Sequence, residues 1–220
     1  MKSFVLIPLI LVAFVSVLSA IPNGGMVFGI GSVGFTGSDV TNSENAGIDY
    51  ANKIGFYGGV FFKSQSTNDF LLRTEVTLTE RGSNVTFDDY DGLSGSMNLW
   101  YLSVPLTFMY NFPAVKSPNF YMGVGPALNI AISGTEKVTD GTDTASGEIT
   151  DQMNPIVLGY QLCAGLNSEK TYVELRYDRQ ITKPFHVDDE YNEDYKGSNG
   201  NIEMYNNGFW ILVGIKFNNY

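Results

Sequence analysis

Apolar and polar residues alternate with a period of two along most of the chain after residue 20. This spacing is typical of β-strands with two different faces, because successive strand side chains point to opposite sides. We predict eight strands, at about 26–36, 54–63, 72–79, 99–110, 120–133, 156–166, 172–178 and 209–217. In the first segment the alternation changes phase between Ile30 and Val33, which predicts a β-bulge near Gly31 and Ser32.

The predicted strands are joined by connections that alternate strictly in length. The long connections cover about 38–52, 82–98, 134–154 and 182–207, and the short ones cover about 64–69, 112–118 and 167–170. An up-and-down barrel shows this alternation when one rim faces the cell exterior and the other faces the periplasm. A Greek-key sandwich has no reason to produce it. The pattern therefore predicts an all-β, eight-stranded, antiparallel up-and-down barrel.

The two faces of the predicted strands differ in side-chain volume. One face is crowded with large apolar residues, whereas the other is rich in Gly, Ala, Ser and Thr, with a few tyrosines and charges. An eight-stranded barrel has an interior just wide enough to be filled by side chains, so the small and polar face suits the inside. The large apolar face then meets lipid, which predicts a transmembrane barrel with a side-chain-filled interior.

The charged residues of the polar face are expected to form pairs inside the barrel. Arg73 and Glu75 lie two apart on one strand, and Glu174, Arg176 and Asp178 share the polar face of another. An isolated charge in such an interior would cost several kcal/mol, so pairing is required. We interpret this set as a static core network rather than an ion path, because eight strands leave no continuous aqueous channel.

Aromatic residues are concentrated near the ends of the predicted strands, which is typical of the girdles at the two membrane interfaces. Those on the side of the short connections are Phe62, Phe70, Tyr110, Phe112, Phe120 and Phe217, and those on the other side are Trp100, Tyr177 and Phe209.

The first 20 residues predict a targeting segment rather than a part of the fold. Lys2 precedes an apolar run from Phe4 to Leu18, which ends in Ser19 and Ala20. A charged residue, an apolar stretch and small residues for cleavage are the features of a secretory signal peptide. The alternative is a single membrane anchor, for which about 15 residues are short. We therefore expect residues 1–20 to be a signal peptide and 21–220 the barrel domain.

Charge is unevenly distributed along the 220 residues. The chain has 13 basic and 23 acidic residues, and the net charge of −10 argues against nucleic-acid binding, which needs a cationic surface. The four long connections hold 17 of the acids and only three bases, Lys137, Lys183 and Lys196. This places the acidity on one rim and predicts four acidic extracellular loops.

Four segments resemble a known family: Gly55–Phe61, Tyr101–Tyr110, Phe120–Pro126 and Tyr172–Tyr177. The Val-Pro-Leu of the second and the Tyr-x-Gly-x-Gly-Pro of the third are the most specific. The chain is similar here to the outer-membrane β-barrel domain family, labelled porin-family or PorT-like, with OmpX/OmpA-like architecture. The resemblance implies a Gram-negative cell outer membrane, contact with its lipid and lipopolysaccharide, and insertion by the barrel-assembly machinery.

Residues with catalytic or metal-binding potential are few. The only histidine, His186, lies beside Asp188, Asp189 and Glu190, and a hydrolase acting on lipid would need a Ser-His-acid constellation at the rim. Cys163 is predicted to be an inert filler of the interior. Carboxylates of the long connections could bind divalent cations, but their spacing matches no calcium-binding loop. We assign no catalytic, cofactor-binding or metal-binding residues.

These observations predict a monomeric, non-enzymatic barrel that serves envelope structure or surface interaction through its acidic loops, whose extracellular partner is unknown. Three alternatives remain. A barrel-embedded lipid-modifying enzyme requires a triad that includes His186. A small-solute channel requires an open lumen. A soluble secreted lipid-binding barrel requires apolar side chains inside and charged ones outside.

Overall fold

The computed structural model describes residues 23–38, 40–41, 47–65, 69–88, 92–113, 118–185 and 203–217. The predicted signal peptide and His186 lie outside these residues. The strands are β1 Gly24–Thr36, β2 Ile48–Ala51, β3 Lys53–Gln65, β4 Phe70–Phe87, β5 Leu93–Asn111, β6 Asn119–Asp140, β7 Asp143–Glu148, β8 Ile156–Asn167, β9 Thr171–Gln180 and β10 Tyr205–Lys216. One 3-10 turn, Thr150–Gln152, follows β7. Within the described ranges, no helix is long and apolar enough to cross a membrane.

Eight of these strands form a closed antiparallel ring. Their order around the ring is β1, β3, β4, β5, β6, β8, β9 and β10. The first strand closes the ring against the last, in a continuous register from Gly25 opposite Lys216 to Thr36 opposite Tyr205. All eight predicted strands are present at the predicted places, which confirms the antiparallel up-and-down barrel.

The orientation of the side chains confirms the membrane type of barrel. On β9, the apolar Val173 and Leu175 are each 49% exposed on the outside, whereas Glu174 and Arg176, which alternate with them along the strand, are fully buried inside. The same alternation holds on β10, where Ile211 is exposed and Trp210 is buried. The apolar outside is the surface that lipid covers, and we call it the outer wall. A soluble lipid-binding barrel would show the reverse arrangement.

An aromatic ladder crosses the outer wall at the end where the short connections lie, which we call the short-turn end. Phe70 contacts Tyr110, Tyr110 contacts Phe112, and Phe112 contacts Phe120, with ring centroids 5.0, 5.0 and 5.2 Å apart. These four residues were predicted to belong to the girdle on this side. Their continuous contact is the arrangement expected of a belt at a membrane–water interface.

The predicted bulge in β1 is wrong. The pairing of β1 with β10 passes without a shift through Gly31, opposite Trp210, and Ser32, opposite Phe209. The apolar parity changes because Val33 and Phe35 face inward and pack in the interior, while Phe28 and Ile30 face lipid. A register shift occurs instead between β5 and β6, at Trp100 and Tyr101.

Three strands are much longer than predicted. β4, β5 and β6 have 18, 19 and 22 residues. Because a tilted strand of about 9–11 residues spans a membrane, each of these strands continues for about 25–40 Å of strand length beyond it. The regions 82–98 and 134–154, predicted as loops, are therefore largely paired strand. We call this side of the barrel the long-connection end.

Candidate functional site

Four charged side chains meet inside the barrel, and we call them the charge cluster: Arg73 and Glu75 of β4 with Glu174 and Arg176 of β9. All four are fully buried. Arg73 lies 2.8 Å from Glu75 and 2.7 Å from Glu174. Arg176 lies 2.7 Å from Glu75 and 2.5 Å from Glu174. Each carboxylate therefore bridges both arginines, the formal charges cancel, and the predicted interior pairing is confirmed.

Tyrosine hydroxyls complete the hydrogen bonding of the two carboxylates. The Tyr57 hydroxyl donates to Oε2 of Glu75 at 2.6 Å, and the Tyr121 hydroxyl donates to Oε2 of Glu174 at 2.7 Å. Each tyrosine adds a donor to an oxygen that already accepts from an arginine, and such additional hydrogen bonds are a condition for a buried ion pair to be tolerated. The sequence indicates such partners only through parity, since both tyrosines fall on the small and polar face.

A second ion pair lies nearer the long-connection end. Asp178 was grouped with the charge cluster in the prediction, but it pairs with Arg81 in a bidentate contact of 2.7 and 2.9 Å. The indole Nε1 of Trp210 donates to the same carboxylate at 2.9 Å. Arg81 was missed because it lies beyond residue 79, where the strand was predicted to end.

Apolar side chains close the interior at the long-connection end, and we call them the apolar plug. Its buried members are Phe35, Val40, Leu99, Tyr101, Ile149, Met153, Val157 and Met204. Between the plug and the charge cluster, the Ser103 hydroxyl donates to Asn129 at 2.7 Å and lies 2.9 Å from the Thr79 hydroxyl. The part of the interior that the structure describes is thus filled in successive layers, which matches the predicted filled barrel.

Above the ring, the extended strands form a five-stranded sheet in the order β2, β4, β5, β6, β7, which we call the outer sheet. One row of paired residues crosses it: Asp49, Thr86, Ser94, Thr139 and Thr144. The outer sheet stands on one side of the ring, because β2 and β7 extend only the neighbouring strands β4, β5 and β6.

The outer sheet has one polar and one apolar face. The row of Asp49 and the hydroxyl residues has the same strand parity as the outer wall, whereas the adjacent row, with Tyr50, Val85 and Val138, continues the interior parity. A shallow cleft of about 120 Å³ lies on this apolar face, and Tyr50, Val85 and Val138 are among the residues that line it. Partial burial there raises the pKa of the Tyr50 hydroxyl above its usual value.

Strand β7 forms an open edge of the outer sheet. It pairs only with β6 among the described residues, and all six of its residues are exposed. A two-residue turn joins the two strands, and its first residue, Gly141, has a positive φ of 58°. The Asp140-Gly141 pair is a recognised hairpin signature. The sequence therefore contained the evidence for this hairpin.

The residues considered for catalysis or metal binding are only partly described. His186, Asp188, Asp189 and Glu190 lie outside the described residues, and Asp88, another carboxylate of the long connections, is exposed. Cys163 is buried inside the barrel, as predicted. No group of three or more metal-ligating side chains occurs in the described part of the chain. Eight of the 17 acids of the long connections are described: Asp49, Asp88, Glu136, Asp140, Asp143, Glu148, Asp151 and Glu203.

Comparison with solved structures finds proteins of similar architecture. Ail, the attachment invasion locus protein of Yersinia pestis, is 13% identical; the match covers 88% of this chain and 97% of that chain, with a TM-score of 0.46. Neisserial surface protein A is 14% identical, with the same coverage and TM-score. OprG of Pseudomonas aeruginosa is 11% identical, with coverage of 92% and 100% and a TM-score of 0.42. No curated protein matches the sequence.

The sequence itself matches a family of membrane barrels. Residues 28–185, well over half of the chain, match the family described as "Outer membrane protein beta-barrel domain". The matched region runs from β1 through the end of β9 and includes the charge cluster and the outer sheet. The lipid-facing apolar wall and the closed antiparallel ring are the features that such a family requires. This chain is therefore a member of the outer membrane protein beta-barrel domain family, located in the cell outer membrane.

Proposed function

We propose that this barrel is a non-enzymatic protein that binds a partner outside the cell through the outer sheet. The observation that supports this function most directly is the edge of β7 with which no other strand of the described residues pairs. An unpaired edge strand presents backbone N–H and C=O groups to which an extended segment of another chain can add.

The orientation in the membrane follows from the lengths of the connections. Barrels of bacterial outer membranes have short periplasmic turns and longer extracellular loops. The described chain begins and ends at the short-turn end, where Gly25 pairs with Lys216. The outer sheet then projects from the opposite, extracellular rim, so its open edge is accessible to molecules outside the cell.

The charges around β7 define the partner that fits its edge. Asp143 and Glu148 are its first and last residues, and Asp140 is paired with Asp143 across the turn. A basic extended peptide complements this edge. Antiparallel pairing with a second copy of β7 would instead place Asp143 opposite Glu148, and like charges directly opposite each other are destabilising. The same argument supports the predicted monomer.

The filled interior favours this function over a small-solute channel. The two ion-pair groups and the apolar plug occupy the described interior, and conduction would require several of these buried contacts to break. A lipid-modifying enzyme is the other alternative. It predicts release of fatty acid from lipid A or phospholipid vesicles by the folded protein and loss of that activity in His186→Ala. We expect no release and no conductance in planar bilayers.

Peptide binding tests the proposed function. Fluorescence anisotropy would compare three seven-residue probes with alternating apolar residues: one basic, one acidic, and the basic one with alternate amides N-methylated. The folded chain should bind only the first probe. The acidic probe is repelled by Asp143 and Glu148, and N-methylation removes the backbone N–H donors with which the third probe would pair to the edge of β7. Ala145→Pro, in the middle of β7, should abolish binding, whereas Glu169→Pro, in the exposed turn between β8 and β9 at the short-turn end, should not. Equal binding of the methylated probe would contradict edge addition.

A further inference from the structure

The four arginines of the chain lie in two different environments. Arg73, Arg81 and Arg176 point into the barrel, and each forms a salt bridge with a buried carboxylate. Arg179 is the fourth, and it points outward from β9, since its neighbours Asp178 and Gln180 are the buried, inward residues. Among the described residues, no carboxylate lies within salt-bridge distance of Arg179.

Two tyrosines, Tyr160 and Tyr205, lie beside the guanidinium of Arg179. It lies over the ring of Tyr205, 5.8 Å from its centroid. In the strand pairing, Arg179 is opposite Tyr160 on one side and Asn207 on the other. Tyr160, Arg179 and Tyr205 line an open cavity of about 350 Å³ together with Gln180 and Ile181. The Tyr205 ring and a hydrogen bond to the Tyr177 hydroxyl hold the arginine in place, and the remaining N–H donors of the guanidinium stay available.

Arg179 lies within the apolar outer wall, near the long-connection end of the barrel. The next row toward the short-turn end consists of Leu162, Tyr177 and Phe209, and it belongs to the lipid-facing surface. On the other side of Arg179, the apolar Ile181 and Leu158 are also exposed, at 57% and 47%. Arg179 is therefore a charged residue set within the outer wall, and its long side chain extends along the apolar surface toward the polar headgroups of the surrounding lipid.

We propose that Arg179, with Tyr160 and Tyr205, forms a binding site for a phosphate group of an anionic lipid in the leaflet around the long-connection end. The planar guanidinium fits phosphate oxygens with two parallel hydrogen bonds, and the tyrosines offer hydroxyl donors beside it. The apolar row of Tyr177 lies where the acyl chains of such a lipid would run. A carboxylate of a soluble partner is the other anion that arginine binds, but the adjacent lipid-facing row favours the lipid.

Lipid retention by the full-length folded protein tests this site. The protein in a zwitterionic detergent would be titrated with diphosphorylated lipid A, and the lipid bound per protein counted by native mass spectrometry. One basic residue near a membrane surface contributes about a fivefold change in affinity for an anionic lipid, so R179Q should bind about fivefold more weakly. R179K should bind the lipid with an affinity between those of the wild type and R179Q, because lysine retains the charge but lacks the planar guanidinium.

Two controls separate this site from general charge attraction. Lys137 of β6 is exposed on the outer sheet, at a distance from the outer wall. K137Q therefore removes one positive charge, as R179Q does, but should retain wild-type lipid binding. Heat-modifiable migration on gels would verify that each variant is folded. Equal weakening in K137Q and R179Q, or no weakening in R179Q, would overturn the proposal.

The unmodified protein provides a test that needs no variant. Lipid A with its phosphates removed should be retained about fivefold less than the diphosphorylated form. An excess of inorganic phosphate should leave retention unchanged, because it lacks the acyl chains that contact the wall. Equal retention of both lipid forms would refute the site, and complete displacement by inorganic phosphate would assign it to the free ion instead.

Discussion

The charge cluster predicts how the barrel responds when its charge balance is disturbed. Glu174 is fully buried and accepts hydrogen bonds from Arg73 at 2.7 Å, from Tyr121 at 2.7 Å and from Nε of Arg176 at 2.7 Å. Glu174→Gln preserves the shape but leaves one uncompensated positive charge in the cluster. Breaking a buried ion pair from one side costs about 3–5 kcal/mol, and we expect this loss in the free energy of unfolding.

A double variant separates charge balance from lost contacts. Arg73→Met alone leaves one uncompensated negative charge and should be destabilising to a similar extent. Glu174→Gln combined with Arg73→Met restores neutrality, so the pair should cost less than the sum of the two single changes by about 1–3 kcal/mol. Urea unfolding from lipid vesicles, followed by the fluorescence of the buried Trp210, measures all three variants. Additive losses, within about 0.5 kcal/mol, would refute a cluster that acts as one unit.

Three further predictions concern the outer wall, the apolar plug and the backbone. Leu175→Arg on the outer wall should lower the free energy of unfolding by about 2–4 kcal/mol, whereas Ile181→Arg near the interface should cost about 0–1 kcal/mol; equal losses would contradict the assigned depth. Leu99→Ala should lower it by about 2–5 kcal/mol because it leaves a cavity in the plug, and a neutral result would show that the plug is not packed. Gly82 has a φ of 120° and Gly141 a φ of 58°. Gly82→Ala should destabilise by more than about 1 kcal/mol, while Gly141→Asn should be tolerated, since asparagine adopts that turn conformation; urea unfolding distinguishes them.

The ring could be predicted from sequence because its determinants are local. Alternation places Val173 and Leu175 on one face and Glu174 and Arg176 on the other, and the narrow interior then decides which face is inside. The outer sheet was missed because its strands are polar on one face and contain glycine and acidic residues that resemble loops. The same Asp-rich composition hid β7, although Asp140-Gly141 indicated a hairpin.

The partners of the interior charges depend on register, which the sequence alone does not determine. Asp178 shares a strand and a face with Glu174 and Arg176, so proximity along the strand suggested one cluster. In the folded barrel Asp178 pairs with Arg81, and Trp210 donates a hydrogen bond to it. The site at Arg179 likewise requires three strands to be in register, because Tyr160, Arg179 and Tyr205 come from β8, β9 and β10.

Quenching of tryptophan fluorescence by brominated lipid acyl chains tests the orientation of the strands most directly. In Trp100→Phe, the remaining Trp210 faces the interior and is fully buried, so brominated lipids should leave its fluorescence unchanged. Adding Trp210→Phe and Ile211→Trp moves the indole by one residue to a position that is 53% exposed on the outer wall, and brominated lipids should then quench it strongly. Strong quenching of Trp210 together with no quenching at position 211 would contradict the inverted, lipid-facing barrel on which the whole account rests.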